Sequence, residues 1–209
     1  MVDSGQVLRW VSESLRTLIR ANIEEFEVES AIVFDSPAEI DSQGETRLSL
    51  FLYKLDTNPH LRNLPPVLSR LPGADGAPNA LAVTPAPLVV DLLYLMVPYA
   101  RSAELELVLA DKLVRLFHDV PALSGPWLRP QLKACGNSLI EIVPNAEPMA
   151  TLHNIWSGFP NKPYKFTQLF TLSPVRIPGT TRLQSNMVTE GALEASTCLT
   201  PGAAAAGAA

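Results

Sequence analysis

The side chains best suited to nucleophilic or metal chemistry are widely separated along this sequence. His60, His118 and His153 share no ligand spacing, and two cysteines are too few for a structural zinc site or a disulfide framework. A single bridge between Cys135 and Cys198 stays open. The chain lacks a nucleophile elbow, a Walker loop and a dinucleotide-binding fingerprint. The sequence therefore predicts no catalytic centre, metal or cofactor, and it favours a binding or structural role.

One carboxylate is distinguished by its apolar surroundings. Asp91 lies in the middle of LVVDLLYLMV, the most apolar stretch of the chain. A buried Asp must be paired or hydrogen-bonded, so Asp91 is either catalytic or holds a neighbouring loop in place, and the second interpretation is favoured. An enzyme or ligand-binding domain would require Asp91, His118 and Cys135 to converge. His118 instead suits the end of a helix, where a cationic His complements the helix dipole.

The elements that position these residues follow from hydrophobic periodicity. Apolar residues at three- and four-residue steps predict a helix over 6–23. Alternation predicts strands over 26–34 and 47–55, which we expect to form an antiparallel pair. The continuous apolar stretch at 87–99 is typical of a central strand covered on both faces. A helix, a strand, a second helix and a long strand are predicted further along: 104–119, 138–143, 147–157 and 164–177.

Two regions lack periodicity. Residues 58–87 contain seven prolines, so this long connection is either functional or a tolerated surface insertion. Residues 178–209 end in a low-complexity alanine-rich stretch that cannot pack a core. The sequence thus predicts a core domain over 1–177 and an extended arm with a tail over 178–209. The fold class is α+β, with a mixed, mainly antiparallel sheet flanked by helices.

Charge and hydropathy exclude several classes of partner. The 209-residue chain has a formal net charge of −5, which argues against neutralising many phosphates and hence against nucleic acid as a partner. A secretory signal has a basic region followed by an apolar stretch, and the N-terminus of this sequence has neither in that order. The stretch around Asp91 is too short, and too interrupted by Asp91 and Pro98, to span a bilayer. We therefore expect a cytoplasmic protein with no direct membrane insertion.

The order of segments is more informative than any single motif. Three segments are the most specific: LSLFLYKLDTNPHLRNL at 48–64, PAPLVVDLLYLMVPYA at 85–100 and LHNIWSGFPNKPYKFTQLFTLSPVRI at 152–177. Together with the N-terminal helix, ELELVLADKLVRLFHDVPAL at 104–123 and SLIEIVP at 138–144, they resemble the tail-terminator, or cap, proteins of extracellular contractile injection systems. These phage-tail-like particles are typified by the antifeeding prophage and the virulence-cassette particles. The resemblance covers residues 6–177 and includes no catalytic motif.

The resemblance implies a non-enzymatic structural cap. It implies a hexameric ring that ends the inner tube and the sheath distal to the baseplate, with the tube protein, the sheath protein and further copies of the chain as partners. The particle would assemble in the cytoplasm and leave the cell on lysis. A terminator must complement the exposed end of a helical polymer without presenting a copy of it. A true phage-tail terminator and a small enzyme or ligand-binding domain are the alternatives.

Two surfaces are candidates for these contacts. The arm is predicted to bind sheath by strand addition, with the alternative of a disordered tail. Its candidate residues are Val175, Ile177, Arg182, Leu183, Met187 and Val188. The proline-rich connection is predicted to contact the tube or a neighbouring subunit through exposed polar side chains, with a solvated loop as the alternative. Its candidates are Asn58, His60, Arg62, Asn63 and Arg70.

Overall fold

The apolar stretch predicted as a central strand lies inside a six-stranded sheet. The structure is a computed structural model, and it describes residues 4–40, 44–71, 80–179 and 183–186. In chain order, the strands are β1 (Ile32–Val33), β2 (Arg47–Thr57), β3 (Val67–Leu71), β4 (Ala80–Thr84), β5 (Leu88–Tyr99), β6 (Ala122–Ser124), β7 (Leu139–Pro144), β8 (Gln168–Ile177) and β9 (Leu183–Asn186). The large sheet has the order β1-β2-β5-β8-β7-β6. Only the β1–β2 pair is parallel among its described pairings.

The remaining strands form a smaller sheet. Its order is β3-β4-β9, and both of its pairings are antiparallel. We call this sheet the three-stranded extension.

Four α-helices accompany the strands: α1 (Val7–Asn22), α2 (Ala103–Asp119), α3 (Pro130–Ala134) and α4 (Met149–Ser157). The Ser102 hydroxyl caps α2 by accepting a hydrogen bond from the Leu105 amide at 3.3 Å. Short 3-10 turns lie at Ser4–Gln6, Glu24–Phe26, Glu29–Ala31 and Gly125–Trp127. In the part of the chain that the structure describes, no helix combines the length and apolar composition needed to cross a membrane.

Strand β5 contributes to a core on each face of the large sheet because successive side chains of a strand point to opposite faces. On one face, Leu92, Tyr94 and Met96 pack with the apolar sides of α1 and α2. On the other face, a smaller cluster joins Leu95, Val97 and Tyr99 to Trp156 of α4 and to Leu169. The predicted burial of the β5 leucines is confirmed, with Leu92 and Leu95 at 0% exposure and Leu93 at 8%.

Polar contacts attach α1 to its neighbours. The hydroxyls of Ser12 and Tyr94 lie 2.8 Å apart and join the helix to the central strand. Glu13 is buried and forms ion pairs with both Arg9 and Arg129 at 2.9 Å. A buried carboxylate between two guanidinium groups keeps its charge compensated. Helix α1 is therefore fixed to both the sheet and the segment before α3.

The predicted fold class is confirmed, and most of the predicted elements are present. The strand predicted at 26–34 is wrong, because 3-10 turns at Glu24–Phe26 and Glu29–Ala31 interrupt that segment and only Ile32–Val33 forms a strand. The predicted antiparallel pairing with the next strand is also wrong, since β1 and β2 are parallel. The connection at 58–87 contains two strands, β3 and β4, in addition to its prolines.

Candidate assembly surfaces

Asp91 holds the loop after β2 against the sheet, as favoured from the sequence. Its carboxylate accepts hydrogen bonds from the side-chain amide of Asn58 at 2.9 Å and from the hydroxyl of Ser173 at 2.5 Å. The Asn58 side-chain oxygen in turn accepts the backbone amides of His60 and Leu61, both at 3.0 Å. These hydrogen bonds give the partly buried carboxylate of Asp91 the donors that it needs, and they fix the start of the proline-rich connection.

The same contacts show that one residue predicted to lie at the surface is buried. Asn58 is 8% exposed, so its predicted exposure is wrong: the amide is used to satisfy Asp91. His60, Arg62 and Asn63 are exposed, as a contact surface requires. Arg70 lies in β3, where only its backbone is described. The predicted contact of this loop with the tube or a neighbouring subunit therefore stays a prediction for the exposed residues.

The candidates for the sheath contact divide into three groups. Val175 is fully buried in the main core opposite Val90, so its assignment to an arm beyond the core is wrong. Ile177 is half-buried against that core. Leu183 begins β9, where it pairs with Val83. Arg182, Met187 and Val188 lie outside the described residues, as do Cys198 and the alanine-rich tail.

The three residues required by an enzymatic interpretation have separate environments. Asp91 bonds to Asn58 and Ser173, while His118 is exposed in the last turn of α2. Cys135 is buried after α3, and burial raises the pKa of its thiol, which disfavours the reactive thiolate. Within 4–40, 44–71, 80–179 and 183–186, no hydrogen bond or ion pair joins any two of these three residues. Over the same ranges, no group of three or more His, Cys, Asp or Glu side chains is placed to hold a metal ion.

An apolar groove, which the periodicity of the sequence does not reveal, lies between α2 and strands β7 and β8 of the large sheet. It has a volume of about 340 Å³ and is lined by Val114, Phe117, His118, Pro121, Ile142, Pro144 and Phe170. On α2, the groove residue Val114 is 52% exposed, and Leu107 is another exposed apolar side chain of the same helix, at 60%. The available sequence signal was apolar residues in 104–119 outside the stripe that faces the core. An apolar patch rimmed by polar residues is typical of an interaction site.

The three-stranded extension repeats the order of the three central strands. Strand β2 leads into β3, β4 leads into β5, and β8 leads into β9, so β3-β4-β9 follows the order β2-β5-β8. Each connection contains proline, which supplies no amide to a ladder: Pro59, Pro65 and Pro66 in the first, Pro85 and Pro87 in the second, and Pro178 in the third. A Cβ placed on Gly179 would lie 3.7 Å from the Cβ of Pro85, so the second and third connections are adjacent.

Comparisons with known proteins agree with this architecture. Residues 10–190 match the family model described as the Pvc16 N-terminal domain. The fold is similar to that of the sheath/tube terminator of the PVC extracellular contractile injection system in its extended state, with a TM-score of 0.64 and 19% identity. It is also similar to the tube-terminating cap of the anti-feeding prophage, with a TM-score of 0.58 and 18% identity. A comparison with curated proteins gave no match.

The two solved structures and the family model cover different shares of the proteins compared. Each covers 91% of this chain, whereas the chain spans 64% of the PVC terminator and 63% of the anti-feeding prophage cap. At 19% and 18% identity, the likeness to the solved structures establishes the fold. The family model, in contrast, spans nearly the whole chain, from the second turn of α1 to beyond β9. The chain therefore belongs to the Pvc16 N-terminal domain family, and its fold is that of the two terminators.

Proposed function

We propose that this chain is a structural terminator of a contractile injection system, which ends the inner tube and the sheath. The observation that carries the proposal is the family match over 10–190, supported by the likeness of the whole fold to two terminators. We propose a non-enzymatic role, because Asp91, the chemically most conspicuous side chain, is engaged in holding the 58–61 loop.

The finer proposal is a hexameric ring at the end of the particle distal to the baseplate. A growing helical polymer always exposes one unsatisfied heterologous surface, and a ring that complements this surface stops growth. The exposed apolar groove beside α2 and the exposed polar loop at 60–63 are two chemically different surfaces available for such contacts. We propose assembly in the cytoplasm and release of the finished particle on lysis, without nucleic acid or membrane insertion.

The surfaces toward each partner are also proposals. The exposed side chains of His60, Arg62 and Asn63 are assigned to the tube or to a neighbouring copy. Within the arm over 178–198, the part beyond β9 is assigned to the sheath, because β9 pairs with β4 in the three-stranded extension. Val175 and Asn58 are removed from these surfaces because both are buried.

Two measurements test the function. Native mass measurement of the purified full chain is expected to give six times 22.7 kDa, and negative-stain images are expected to show annular particles. Deleting the gene should leave tubes and sheaths of uncontrolled length or with unstable ends, and a plasmid copy should restore uniform length. Particles of normal length distribution and intact ends in the deletion strain would exclude the terminator role.

A further inference from the structure

We infer that the three-stranded extension joins neighbouring copies of the chain, with the outer edge of β9 in one copy paired to the outer edge of β3 in the next. The inference rests on the proposed ring and names the backbone surface that closes it. Every copy would contribute one edge of each kind, so a closed ring would leave no edge unpaired.

The two edges are opposite sides of one small sheet. Strand β4 lies in the centre and pairs with β3 over Val67–Leu71 and with β9 over Leu183–Asn186. Among the described strands, neither β3 nor β9 has a second neighbour. Each therefore presents a row of backbone amides and carbonyls that a further strand can pair.

Charge and proline, which commonly protect exposed edges, are sparse in the extension. Natural edge strands carry charges, prolines or bulges that prevent pairing with another chain. The three strands VLSRL, ALAVT and LQSN contain one charged residue, Arg70, and no proline. Leu68 in the edge strand β3 is 62% exposed. Unprotected edges of this kind are expected where a partner strand covers them.

The directions of the strands favour a second copy as the partner. Both β3 and β9 are antiparallel to β4, so they run parallel to each other. Rotation about a ring axis preserves the component of a strand's direction along that axis. If the strands run mainly along the axis, β9 of one copy meets β3 of the next as a parallel pair. A strand from a tube or sheath subunit would cover one edge and leave the other exposed. The second copy is the occupant that satisfies both edges.

Disulfide cross-linking tests the contact directly. Within one chain, β3 and β9 are separated by β4, so their Cα atoms lie two strand spacings apart, roughly 9–10 Å. This exceeds the ~7 Å limit for a disulfide. A cysteine in β3 can therefore bond to a cysteine in β9 only between copies, provided that Cys135→Ala and Cys198→Ser remove the native thiols.

The experiment places Ser69→Cys together with a cysteine at each β9 position in turn, because the register between copies is to be determined. The positions are Leu183, Gln184, Ser185 and Asn186. At one or more of them, mild oxidation should give a ladder of covalent multimers up to the size of the ring. Each single-cysteine variant can give dimers at most. The pair Ser69→Cys and Ala82→Cys should close within one chain, since these residues are directly opposite in the β3–β4 register.

A paired proline substitution gives an independent measurement. Adjacent residues of a strand point their amides to opposite sides, so Ser69→Pro and Arg70→Pro affect different edges of β3. The variant that loses an amide on the outer edge should lose the ring, and its unfolding temperature should fall only by the amount that dissociation of the ring causes. The variant that loses an inner amide also breaks a pairing within the chain and should unfold at a lower temperature still.

The outcomes separate this inference from the proposed function. A ring by mass measurement with no covalent multimers beyond dimer at any of the four β9 positions overturns the edge pairing and leaves the terminator function standing. Monomers by mass together with no such multimers overturn both the ring and the edge pairing. A ladder of multimers, together with ring loss in the proline variant that unfolds at the higher temperature of the two, is the result that we expect.

Discussion

The side-chain amide of Asn58 and the carboxylate of Asp91 lie 2.9 Å apart and join the end of β2 to the central strand across 33 residues of chain. Asp91→Ala should destabilise the fold by about 1–3 kcal/mol, because the Asn58 amide and the Ser173 hydroxyl lose their acceptor. Urea unfolding provides the measurement. The control is Asp111→Ala, an exposed carboxylate paired only with Arg115 on α2, whose loss should cost less than about 1 kcal/mol. Equal effects of the two substitutions would contradict the role of Asp91.

Leucines of β5 on opposite faces of the large sheet test the importance of the two cores. Leu92→Ala and Leu95→Ala should each destabilise the chain by about 2–5 kcal/mol, since both side chains are fully buried and truncation leaves a cavity. Leu107→Ala, on the exposed side of α2, should change the free energy of unfolding by less than about 0.5 kcal/mol. Losses under about 1 kcal/mol at both β5 positions would show that this strand is peripheral.

Burial of the Tyr94 phenol contributes to a predicted decline in stability at alkaline pH, as burial of Tyr99, whose pKa is also raised to about 12, does. Burial raises the pKa of Tyr94 from 10.0 to about 12, and the hydrogen bond with Ser12 acts weakly in the opposite direction. Because the pKa in the folded state is higher, the stabilisation is fully present below pH 10 and is lost as the pH rises toward 12. The loss amounts to at most about 3 kcal/mol over that range.

Replacing the phenol isolates this contribution. Tyr94→Phe should lower stability near pH 8 through the lost Ser12 contact, yet flatten the decline between pH 10 and 12. Denaturant unfolding across this pH range gives the slope. Tyr164→Phe, at a side chain that is 45% exposed, is the matched control and should leave the slope unchanged. An identical slope in the Tyr94 variant and the parent would refute the assignment.

Truncation at two positions tests the arm. Removing 178–209 deletes β9, but it leaves the large sheet and both cores intact, so the chain should remain folded, lose the ring edge that β9 supplies and bind sheath poorly. Removing only 187–209 keeps β9 paired to β4, so this truncation should keep the ring and bind sheath poorly. Pull-down of terminal sheath subunits with both truncations and the full chain is the measurement. Equal recovery in all three would make the arm dispensable and direct attention to the exposed loop at 60–63.

Elements with long, regular periodicity could be predicted from the sequence. Helix α1 has the predicted apolar stripe, with Val7, Val11 and Leu15 all buried. Strand β5 has the predicted two-sided burial because its apolar run is long and is bounded by prolines. The role of Asp91 could also be inferred, since a carboxylate inside such a strand requires partners. In each case, local sequence and tertiary packing favour the same structure.

The remaining features depend on interactions that short sequence windows do not contain. At 26–34, apolar residues at even positions imitate the alternation of a strand, but two 3-10 turns bury Phe26 and Ala31 and leave Val28 65% exposed. The short strands β3 and β4 lie between prolines, and the small sheet that they form is completed by β9 from the far end of the chain. Burial of Asn58 and Val175 likewise follows from partners far away in sequence: Asp91 for the amide and Val90 for the valine.

The pairing of β5 with β8 has a consequence for synthesis on the ribosome. Tyr94 pairs with Phe170, and roughly 70 residues separate the end of β5 from the start of β8. At translation rates of about 5–20 residues per second, the most apolar strand waits on the order of 4–14 s for its second neighbour. During that interval one edge of β5 is open to other nascent chains, so chaperone binding at this stage should protect the yield of folded protein.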